Sequence, residues 1–209
     1  TFAVEQASGF AYPPIIASGI RSNILHYDVN TATCKDGDLL LMDVGASYAN
    51  YNADITRVFP VNGRFSPRQR AVYSQVLKTL KSLEGIIKPG LSWSDLEQVL
   101  KELMEDSLQE LGLIDRNDLR HQDANQPLYK KFMVHSLGHH LGLEVHDNKS
   151  DSEFFSKGMV LALEPAIYLP KEGFGIRLEN DILITESGAT VLSDSIPIEP
   201  DEIEELMGA

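Results

Sequence analysis

The alternation of apolar and polar positions predicts two β-hairpins, one in each half of the chain. In the first, an apolar run at residues 39–42 leads into Asp43, and a second run at residues 55–59 follows Asp54. Small and polar residues separate the runs, which is typical of two strands joined by a tight turn. A two-residue loop at residues 48–49 would set Asp43 directly opposite Asp54, with the side chains roughly 5 Å apart.

The second predicted hairpin repeats this arrangement near the C-terminus. Two apolar runs flank the sequence PKEGF, and the midpoint between Glu164 and Glu179 falls inside that turn. These two acids would therefore also face each other across a hairpin. Strand alternation places Tyr168 on the same face as Glu164, and Arg177 on the same face as Glu179.

Facing carboxylates in a largely apolar sheet need a compensating partner. They repel each other and lose water, so a shared proton, an arginine or a metal ion must offset the unfavourable energy. A single pair would most simply be an exposed or arginine-paired surface. Two such pairs in one chain favour a functional site.

Two amphipathic helices are predicted between the hairpins. Ser66, Pro67 and Gln69 form the pattern of an N-cap, a first helical position and a capping box. Ser92 caps a second helix, and apolar residues recur at helical spacing in both. The sequence Lys88-Pro89-Gly90 ends the first helix and Gly112 ends the second. We expect both helices to cover a sheet.

The remaining segments carry weaker signals. Residues 1–24 have no clear period and are expected to be extended, with a short strand in the stretch AYPPIIASG. Residues 115–127 are polar and predict a loop, and residues 151–157 predict a polar connection.

Composition and charge limit the classes of protein that fit. The 209 residues suffice for one sizeable core or at most two small domains. The formal net charge of -13 argues against nucleic-acid backbones and anionic membrane surfaces as partners. Cys34 is the single cysteine, which excludes an internal disulfide and fits a reducing, cytoplasmic location. No apolar run approaches 18 residues and the N-terminus lacks the order of a signal peptide, so we expect no membrane span.

A histidine-rich tract lies between the two acid pairs. Residues 131–147 contain His135, His139, His140 and His146 among apolar residues and glycines. Four carboxylates with one imidazole would form a hard, oxygen-rich site that favours manganese, cobalt, iron or zinc. Four negative charges also match two divalent ions, and paired metals activate water, so the expected chemistry is hydrolysis.

Five motifs, in their order along the chain, resemble those of one family: DVGASY, NADITRVFPVNGRFS, VHSLGHHLGLEVHD, LALEPAIY and GIRLENDILIT. The family is the M24 metallopeptidases with the pita-bread fold, and within it the sequence resembles the Xaa-Pro aminopeptidases (aminopeptidase P). The likeness runs from about residue 23 to the C-terminus. It implies an α+β pita-bread fold, a curved antiparallel sheet covered by helices, with residues 1–209 as a single catalytic domain.

The resemblance implies a set of metal ligands for two divalent ions, most simply Mn²⁺, with Co²⁺, Zn²⁺ or Fe²⁺ as alternatives. Asp54 and Glu179 would bridge the ions. Asp43 would hold one ion, and His139 and Glu164 the other.

The resemblance also implies the reaction. A hydroxide that bridges the metals would attack the carbonyl before proline, and Glu164 would carry the proton towards the leaving nitrogen. His26, His135 and His146 match histidines of the family that contact the substrate and stabilise the developing oxyanion. We expect Arg177 to contact substrate as well. 

Arg177 and two further residues have supporting roles in this interpretation. Arg177 and Tyr168 match side chains that support Asp43. His140 follows the ligand position, and we expect it to form pocket wall.

The sequence departs from the family pattern at its start. Members of the family have helices ahead of the segment that contains His26, and most aminopeptidases P also have a separate N-terminal domain. The 209 residues contain neither, so we expect an apolar face that a second copy (a homodimer) or a retained N-terminal fragment would cover.

Several alternatives stay open at this point. A prolidase, which cleaves Xaa-Pro dipeptides, fits the same motifs, although the C-terminal sequence is more similar to aminopeptidase P. Methionine aminopeptidase has the same ligand types but usually a longer spacing between the two glutamates. A pita-bread protein that binds a partner without catalysis would usually have lost ligands, and here all five are present.

Overall fold

The computed structural model describes residues 7–148 and 153–208. In these two ranges the chain forms twelve β-strands and four α-helices, in agreement with the expected α+β class. The strands are β1 (Gly9–Phe10), β2 (Ile15–Ser18), β3 (Leu39–Asp43), β4 (Ala46–Tyr48), β5 (Tyr51–Asn52), β6 (Thr56–Pro60), β7 (Gly138–Leu141), β8 (Val160–Leu163), β9 (Ala166–Leu169), β10 (Phe174–Arg177), β11 (Asn180–Ile184) and β12 (Ala189–Val191). The helices are α1 (Pro67–Glu84), α2 (Trp93–Glu110), α3 (Arg116–His121) and α4 (Pro200–Leu206), with 3₁₀ helices at Gly19–Asn23 and Leu128–Lys131.

The first hairpin, here called the aspartate hairpin, runs from β3 through β4 and β5 to β6. Strand β3 lies between β2 and β6, and all three are antiparallel. Asp43 pairs with Thr56, so the predicted pairing of Asp43 with Asp54 is wrong by two residues. The turn lies at Ala49 and Asn50, which both have positive φ, rather than at residues 48–49.

The shifted turn has a simple physical reason. A two-residue turn with positive φ at both central positions matches the twist of the flanking strands, and asparagine tolerates this conformation. Placing the turn one residue later also sets Tyr48 opposite Tyr51. Such an aromatic cross-strand pair stabilises a hairpin by roughly 0.2–1 kcal/mol relative to alanine.

The second hairpin, the glutamate hairpin, runs from β8 and β9 to β10 and β11. Leu163 pairs with Asn180, and Ala166 pairs with Arg177, in a single antiparallel register. That register places Glu164 opposite Glu179, as the sequence predicted. Strand β8 also pairs with β7, which brings the histidine-rich tract to the edge of the same sheet.

The helices begin where the sequence predicted. Ser66 and Ser92 each accept a hydrogen bond from the third residue of their helix, and both capping boxes are complete. The apolar faces of α1 and α2 join strand residues of both hairpins in one hydrophobic cluster. Each large apolar side chain buried in this way stabilises the fold by about 1.5–3 kcal/mol.

One predicted loop is partly helical. Within residues 115–127, Asp115 caps the short helix α3 and Asp118 completes its capping box. None of the residues of α3 is buried. A helix without a buried face has no apolar period, so the pattern that predicts helices could not detect it. In the predicted connection at residues 151–157, residues 151–152 lie outside the described ranges.

The two hairpins meet at a seam beside β6. The Glu179 amide donates to the Thr56 carbonyl at 3.1 Å. The Gly175 amide donates at 2.7 Å to Oγ of Ser22, which ties the glutamate hairpin to the first 3₁₀ helix. On β2 and β3, Ile16, Leu40 and Met42 are only partly buried. A segment or partner that covers them stays a prediction. No helix within the described ranges is both long and apolar enough to cross a bilayer.

Candidate metal centre

A cavity of about 240 Å³ opens at the seam between the hairpins. The structure brings all five expected ligands to this cavity, together with Arg177 and three of the histidines singled out in the sequence. The lining residues are Leu25, His26, Asp43, Asp54, His135, Ser136, His139, His146, Glu164, Arg177 and Glu179. The aspartate hairpin, the glutamate hairpin and the histidine-rich tract therefore contribute to one pocket.

Three of the expected ligands already form a compact cluster. One atom each from Asp54, His139 and Glu179 lies within 4.8 Å of the other two. His139 Nδ1 lies 3.1 Å from the His140 carbonyl, to which it donates, and this leaves Nε2 facing Asp54 Oδ2 at 3.5 Å. A ring held in this tautomer presents a lone pair to a metal ion. Burial lowers the pKa of His139, but the hydrogen bond to Asp54 and other favourable contacts raise it overall.

The two aspartates meet through a residue that the sequence analysis missed. The Tyr12 hydroxyl lies 2.5 Å from Asp43 Oδ1 and 2.5 Å from Asp54 Oδ1. Burial and the neighbouring carboxylates raise the pKa of Tyr12, so the phenol stays protonated and donates. Tyr12 can approach because Gly45 has no side chain. A Cβ on Gly45 would lie 1.7 Å from the Ala53 carbonyl oxygen and 2.9 Å from the Tyr12 ring.

Arg177 supports the pocket from the glutamate hairpin. Its Nη2 donates to Asp43 Oδ2 at 2.6 Å and its Nη1 donates to the Tyr168 hydroxyl at 2.9 Å. Its Nε donates to Thr56 Oγ1 at 3.2 Å. The predicted link from Arg177 to Asp43 is therefore direct, whereas Tyr168 acts on Asp43 only through Arg177. Burial raises the pKa of Asp43, Arg177 opposes this, and Asp54 adds to the rise.

Tyr168 and His135 continue this chain of hydrogen bonds. The Tyr168 hydroxyl accepts from Arg177 and lies 3.0 Å from His135 Nε2, to which it can donate. His135 Nδ1 then donates to the Ser136 carbonyl at 2.8 Å. Burial lowers the pKa of His135 to about 4, so the ring is neutral near pH 7. Both ring nitrogens of His135 therefore have protein partners.

The two glutamates are the most strongly perturbed acids of the cavity. Glu179 is 2% exposed, and the Thr56 hydroxyl donates to its Oε2 at 2.6 Å. Burial, followed by repulsion from Asp54 and Glu164, raises the pKa of Glu179 well above its ordinary value. Burial also raises the pKa of Glu164 to about 7, although Arg177 and His139 oppose it. Glu164 Oε2 lies 3.6 Å from His135 Nδ1.

The remaining histidines occupy different sides of the site. His26 and His146 line the cavity, and the His146 ring packs edge-on against His139 with centroids 4.4 Å apart. Burial lowers the pKa of His146, and His139 lowers it further. His140 does not line this cavity, contrary to our expectation. Strand alternation turns it away from His139, and it accepts a hydrogen bond from Trp93 Nε1 at 3.2 Å.

Thr56 and Asp181 are two further residues that the sequence analysis missed. Thr56 lies two positions after Asp54, which precedes β6, so the period of two expected for a continuous strand could have identified it. Asp181 likewise lies two positions after Glu179, which precedes β11. Its Oδ2 accepts from the Asp54 amide at 3.2 Å, and Oδ1 has no hydrogen-bond partner among the described residues. Burial raises the pKa of Asp181 to about 7.

The donor set fits divalent cations. Four carboxylates and one imidazole converge on a buried cavity, and two of the acids hold protons at a pH where exposed acids would be ionised. Divalent cations would remove this repulsion and replace the protons. Oxygen-rich ligands with one imidazole suit hard or borderline ions such as Mn²⁺, Fe²⁺, Co²⁺ or Zn²⁺.

The fold and this site define a member of metallopeptidase family M24. The family profile matches residues 1–186, and the chain belongs to that family. The sequence is 39% identical to Xaa-Pro aminopeptidase of Escherichia coli, over 95% of this chain and 47% of that protein. It is 35% identical to human Xaa-Pro aminopeptidase 3, over 94% of this chain and 40% of that protein.

Solved structures give the same result for the fold. E. coli aminopeptidase P in its low-pH form superimposes with a TM-score of 0.91 at 38% identity, over 99% of this chain and 49% of that chain. The zinc-substituted E. coli enzyme in complex with product superimposes with a TM-score of 0.90 at the same identity and coverage. The pita-bread fold expected from the motifs is thereby confirmed. The chain spans about half the length of the curated relatives it matches, at 47% and 40% of the two proteins named above.

Proposed function

We propose that this chain is a metal-dependent aminopeptidase that holds two divalent ions and hydrolyses the bond between an N-terminal residue and proline. One observation carries the proposal. Asp54, His139 and Glu179 already place donor atoms within 4.8 Å of one another, and Asp43 and Glu164 line the same cavity. The similarity to Xaa-Pro aminopeptidases supports the choice of substrate.

The assignment of ligands follows the similarity to family M24 and agrees with the position of each residue. Asp54 and Glu179 come from different hairpins and cluster with His139, which fits the expectation that two ions would share them. Asp43 would hold the ion on the aspartate side. His139 and Glu164 would hold the ion on the other side. When bound, the ions would supply Lewis-acid activation of the attacking water and of the scissile carbonyl. The predominance of carboxylate ligands favours Mn²⁺.

Glu164 is the residue we assign to proton transfer. It lines the cavity, and burial raises its pKa to about 7. That pKa belongs to the metal-free chain. With ions bound, the carboxylate would be deprotonated and could accept a proton from water and release it to the departing proline nitrogen. This transfer typically contributes a factor of about 10²–10⁴ to the rate.

The histidines and Arg177 would position the substrate. His26 and His146 line the cavity and are available for contact with the scissile carbonyl and the substrate backbone. His135 is bonded to Tyr168 and Ser136, which fixes the orientation of its ring at the cavity wall. Arg177 is already bonded to Asp43, so we assign it mainly to holding that ligand.

The test combines metal content with peptide hydrolysis. We expect elemental analysis of the chain, after dialysis against Mn²⁺, to find two ions per chain. We expect cleavage of a peptide with proline in the second position, and loss of cleavage in EDTA. A dipeptide and a longer peptide, compared at equal concentration, distinguish a prolidase from an aminopeptidase.

Glu164→Gln is the variant that tests the mechanism. We expect kcat to fall by about 10²–10⁴, the contribution of a general acid–base residue. Glu172→Gln is the matched control, because Glu172 lies in the turn of the same hairpin and pairs with Arg68 outside the cavity. A chain that binds no metal would contradict the proposal. Unchanged cleavage by folded Glu164→Gln would exclude the proposed role of Glu164.

A further inference from the structure

Arg57 is a buried cation that lies outside the cavity, on the far side of β6. It is 4% exposed, and alternation along the strand directs it away from the face of Thr56. No carboxylate within the described ranges lies within salt-bridge distance of its guanidinium, unlike Arg177, which pairs with Asp43. A buried arginine of this kind would be costly unless its donors were fully used.

All the donors of Arg57 are in fact used, and most go to backbone oxygens at the seam. Nη1 donates to the Glu179 carbonyl at 2.7 Å and to the Thr56 carbonyl at 3.0 Å. Nε donates to the Pro197 carbonyl at 3.0 Å, and Nη2 donates to Asn180 Oδ1 at 2.8 Å. A weaker contact joins Nη2 to the Ile196 carbonyl at 3.4 Å.

These contacts attach both hairpins to the planar guanidinium group of Arg57. Thr56 lies on β6 of the aspartate hairpin, two residues after Asp54. Glu179 belongs to the glutamate hairpin, and its amide donates to the same Thr56 carbonyl that Arg57 contacts. On the cavity side, the Thr56 hydroxyl donates to the Glu179 carboxylate at 2.6 Å. Thr56 and Glu179 are thus joined through their backbone carbonyls on one face of the sheet and through their side chains on the other.

We propose that Arg57 is a positioning residue for the metal centre, setting the separation of Asp54 and Glu179 by binding the Thr56 and Glu179 carbonyls together. The inference rests on the proposed function, since it concerns the ligands assigned there. Groups that orient metal ligands from behind typically contribute about 10–100-fold to metal affinity. Arg57 would act on the two ligands that come from different hairpins.

The sign of the effect distinguishes positioning from simple electrostatics. A cation near the site repels a divalent ion, so if Arg57 acted through its charge alone, its removal would strengthen metal binding. If it acts by holding the seam, its removal weakens metal binding. Arg57→Lys keeps the charge but loses the planar fork that contacts several carbonyls at once.

The surroundings of Arg57 allow a chemical rescue experiment. A second cavity of about 200 Å³ lies on this side of the sheet and is lined by Arg57, Glu84, Asn180 and Ser193, among others. Asn180 Nδ2 donates to Glu84 Oε1 at 2.7 Å, and Ser193 Oγ donates to Asn180 Oδ1 at 2.7 Å. Truncation of Arg57 would enlarge this cavity and leave oxygen acceptors for a guanidinium ion.

The experiment measures the Kd for Mn²⁺ by titration calorimetry, with folding checked by circular dichroism. We expect Arg57→Ala to raise the Kd by about 10–100-fold. The Kd of Arg57→Lys should lie between that of the unmodified chain and that of Arg57→Ala. Added guanidinium should restore the affinity of Arg57→Ala for Mn²⁺. Arg68→Ala is the control, because Arg68 also joins α1 to the glutamate hairpin through Glu172 but lies at the surface. Its Kd should equal that of the unmodified chain.

The outcomes separate this inference from the proposed function. An unmodified chain that binds no Mn²⁺ overturns both. Normal binding by the unmodified chain, together with an unchanged or lower Kd in Arg57→Ala, overturns only the role of Arg57. If Arg57→Ala does not fold, the Kd of Arg57→Lys for Mn²⁺ tests the inference instead. A Kd of Arg57→Lys equal to that of the unmodified chain overturns it.

Discussion

The aspartate hairpin and the glutamate hairpin bring similar acid pairs to one cavity, but the protein compensates their charge differently. In the aspartate hairpin, the Tyr12 hydroxyl contacts both acids at 2.5 Å, and Arg177 donates to Asp43 at 2.6 Å. In the glutamate hairpin, Glu179 has a single hydroxyl donor, from Thr56. The nearest arginine atom to Glu164 is Arg177 Nε, at 4.0 Å.

This difference predicts which half of the site would depend more on bound cations. Hydrogen bonds and a buried arginine partly stabilise the charges of the aspartate pair within the protein itself, although burial still leaves the pKa of Asp43 raised. The glutamate pair has fewer such partners and is deeply buried, so the pKa of Glu164 rises to about 7 and that of Glu179 rises well above its ordinary value. Below about pH 7 the metal-free chain would retain protons on these two acids, and divalent ions would replace those protons.

The largest expected effect comes from removing the charge of Glu179. Metal at 100 times its Kd should stabilise the unmodified chain by about 2.7 kcal/mol. For a chain of this size that corresponds to a rise in Tm of about 5–10 °C. Glu179→Gln should abolish most of this rise, because a proposed metal ligand is lost. Differential scanning calorimetry with and without Mn²⁺ measures the rise.

Asp181→Asn is the matched control for Glu179→Gln. Asp181 is also a buried acid of the glutamate hairpin with a raised pKa, but it contacts the Asp54 amide rather than lining the cavity. Asparagine keeps a carbonyl oxygen that can accept from that amide. The Mn²⁺-dependent rise in Tm should persist in this variant. A normal rise in Glu179→Gln would show that Glu179 is not a ligand.

A smaller effect is expected from Tyr12→Phe in the aspartate hairpin. Removal of a hydroxyl that donates to buried carboxylates should lower the free energy of unfolding of the metal-free chain by about 1.5–3 kcal/mol. Tyr73→Phe is the control, because Tyr73 is also buried but donates to a neutral carbonyl, that of Ile198, at 2.8 Å. That loss should be about 0.5–1.5 kcal/mol. Urea unfolding measures both, and equal losses would contradict the special role of Tyr12.

The same two hairpins show what the sequence can predict. In the glutamate hairpin, two apolar runs and one turn fix the register, so Glu164 opposite Glu179 could be read from the midpoint between them. In the aspartate hairpin, several small and polar residues separate the runs, and a shift of one residue in the turn changes the pairing by two. Register is strongly specified only where the apolar pattern continues up to the turn.

The partners of the acids were harder to predict than the acids themselves. Tyr12 lies 31 residues before Asp43 in a segment without a period, and only the folded chain shows its contact. Arg57 lies directly after Thr56 in a strand whose sequence pattern indicates no special role. In the structure it contacts backbone carbonyls from three parts of the chain. Contacts to backbone oxygen do not require a particular partner residue, so they leave no signal in the sequence.

The smallest expected effect is the change in the free energy of unfolding with pH in the metal-free chain. It tests the difference between the two hairpins directly. The pKa of Glu164 is raised from 4.5 to about 7 in the folded chain, so the folded state binds the proton more tightly than the unfolded state. Its contribution to stability is therefore complete below about pH 4.5 and is lost as the pH rises through about 7. Each such acid changes the free energy of unfolding by at most about 1.4 kcal/mol per pH unit.

We therefore expect the stability of the chain in EDTA to fall between about pH 5 and pH 8, and Glu164→Gln to reduce that slope. With saturating Mn²⁺ the slope should become smaller or reverse, because metal binding requires deprotonated ligands and so strengthens as the pH rises. Urea unfolding at several pH values, in EDTA and in Mn²⁺, measures both slopes. A metal-free stability that rises across this range would mean that the glutamate pair is already compensated by the protein, and the two hairpins would then not differ as the structure indicates.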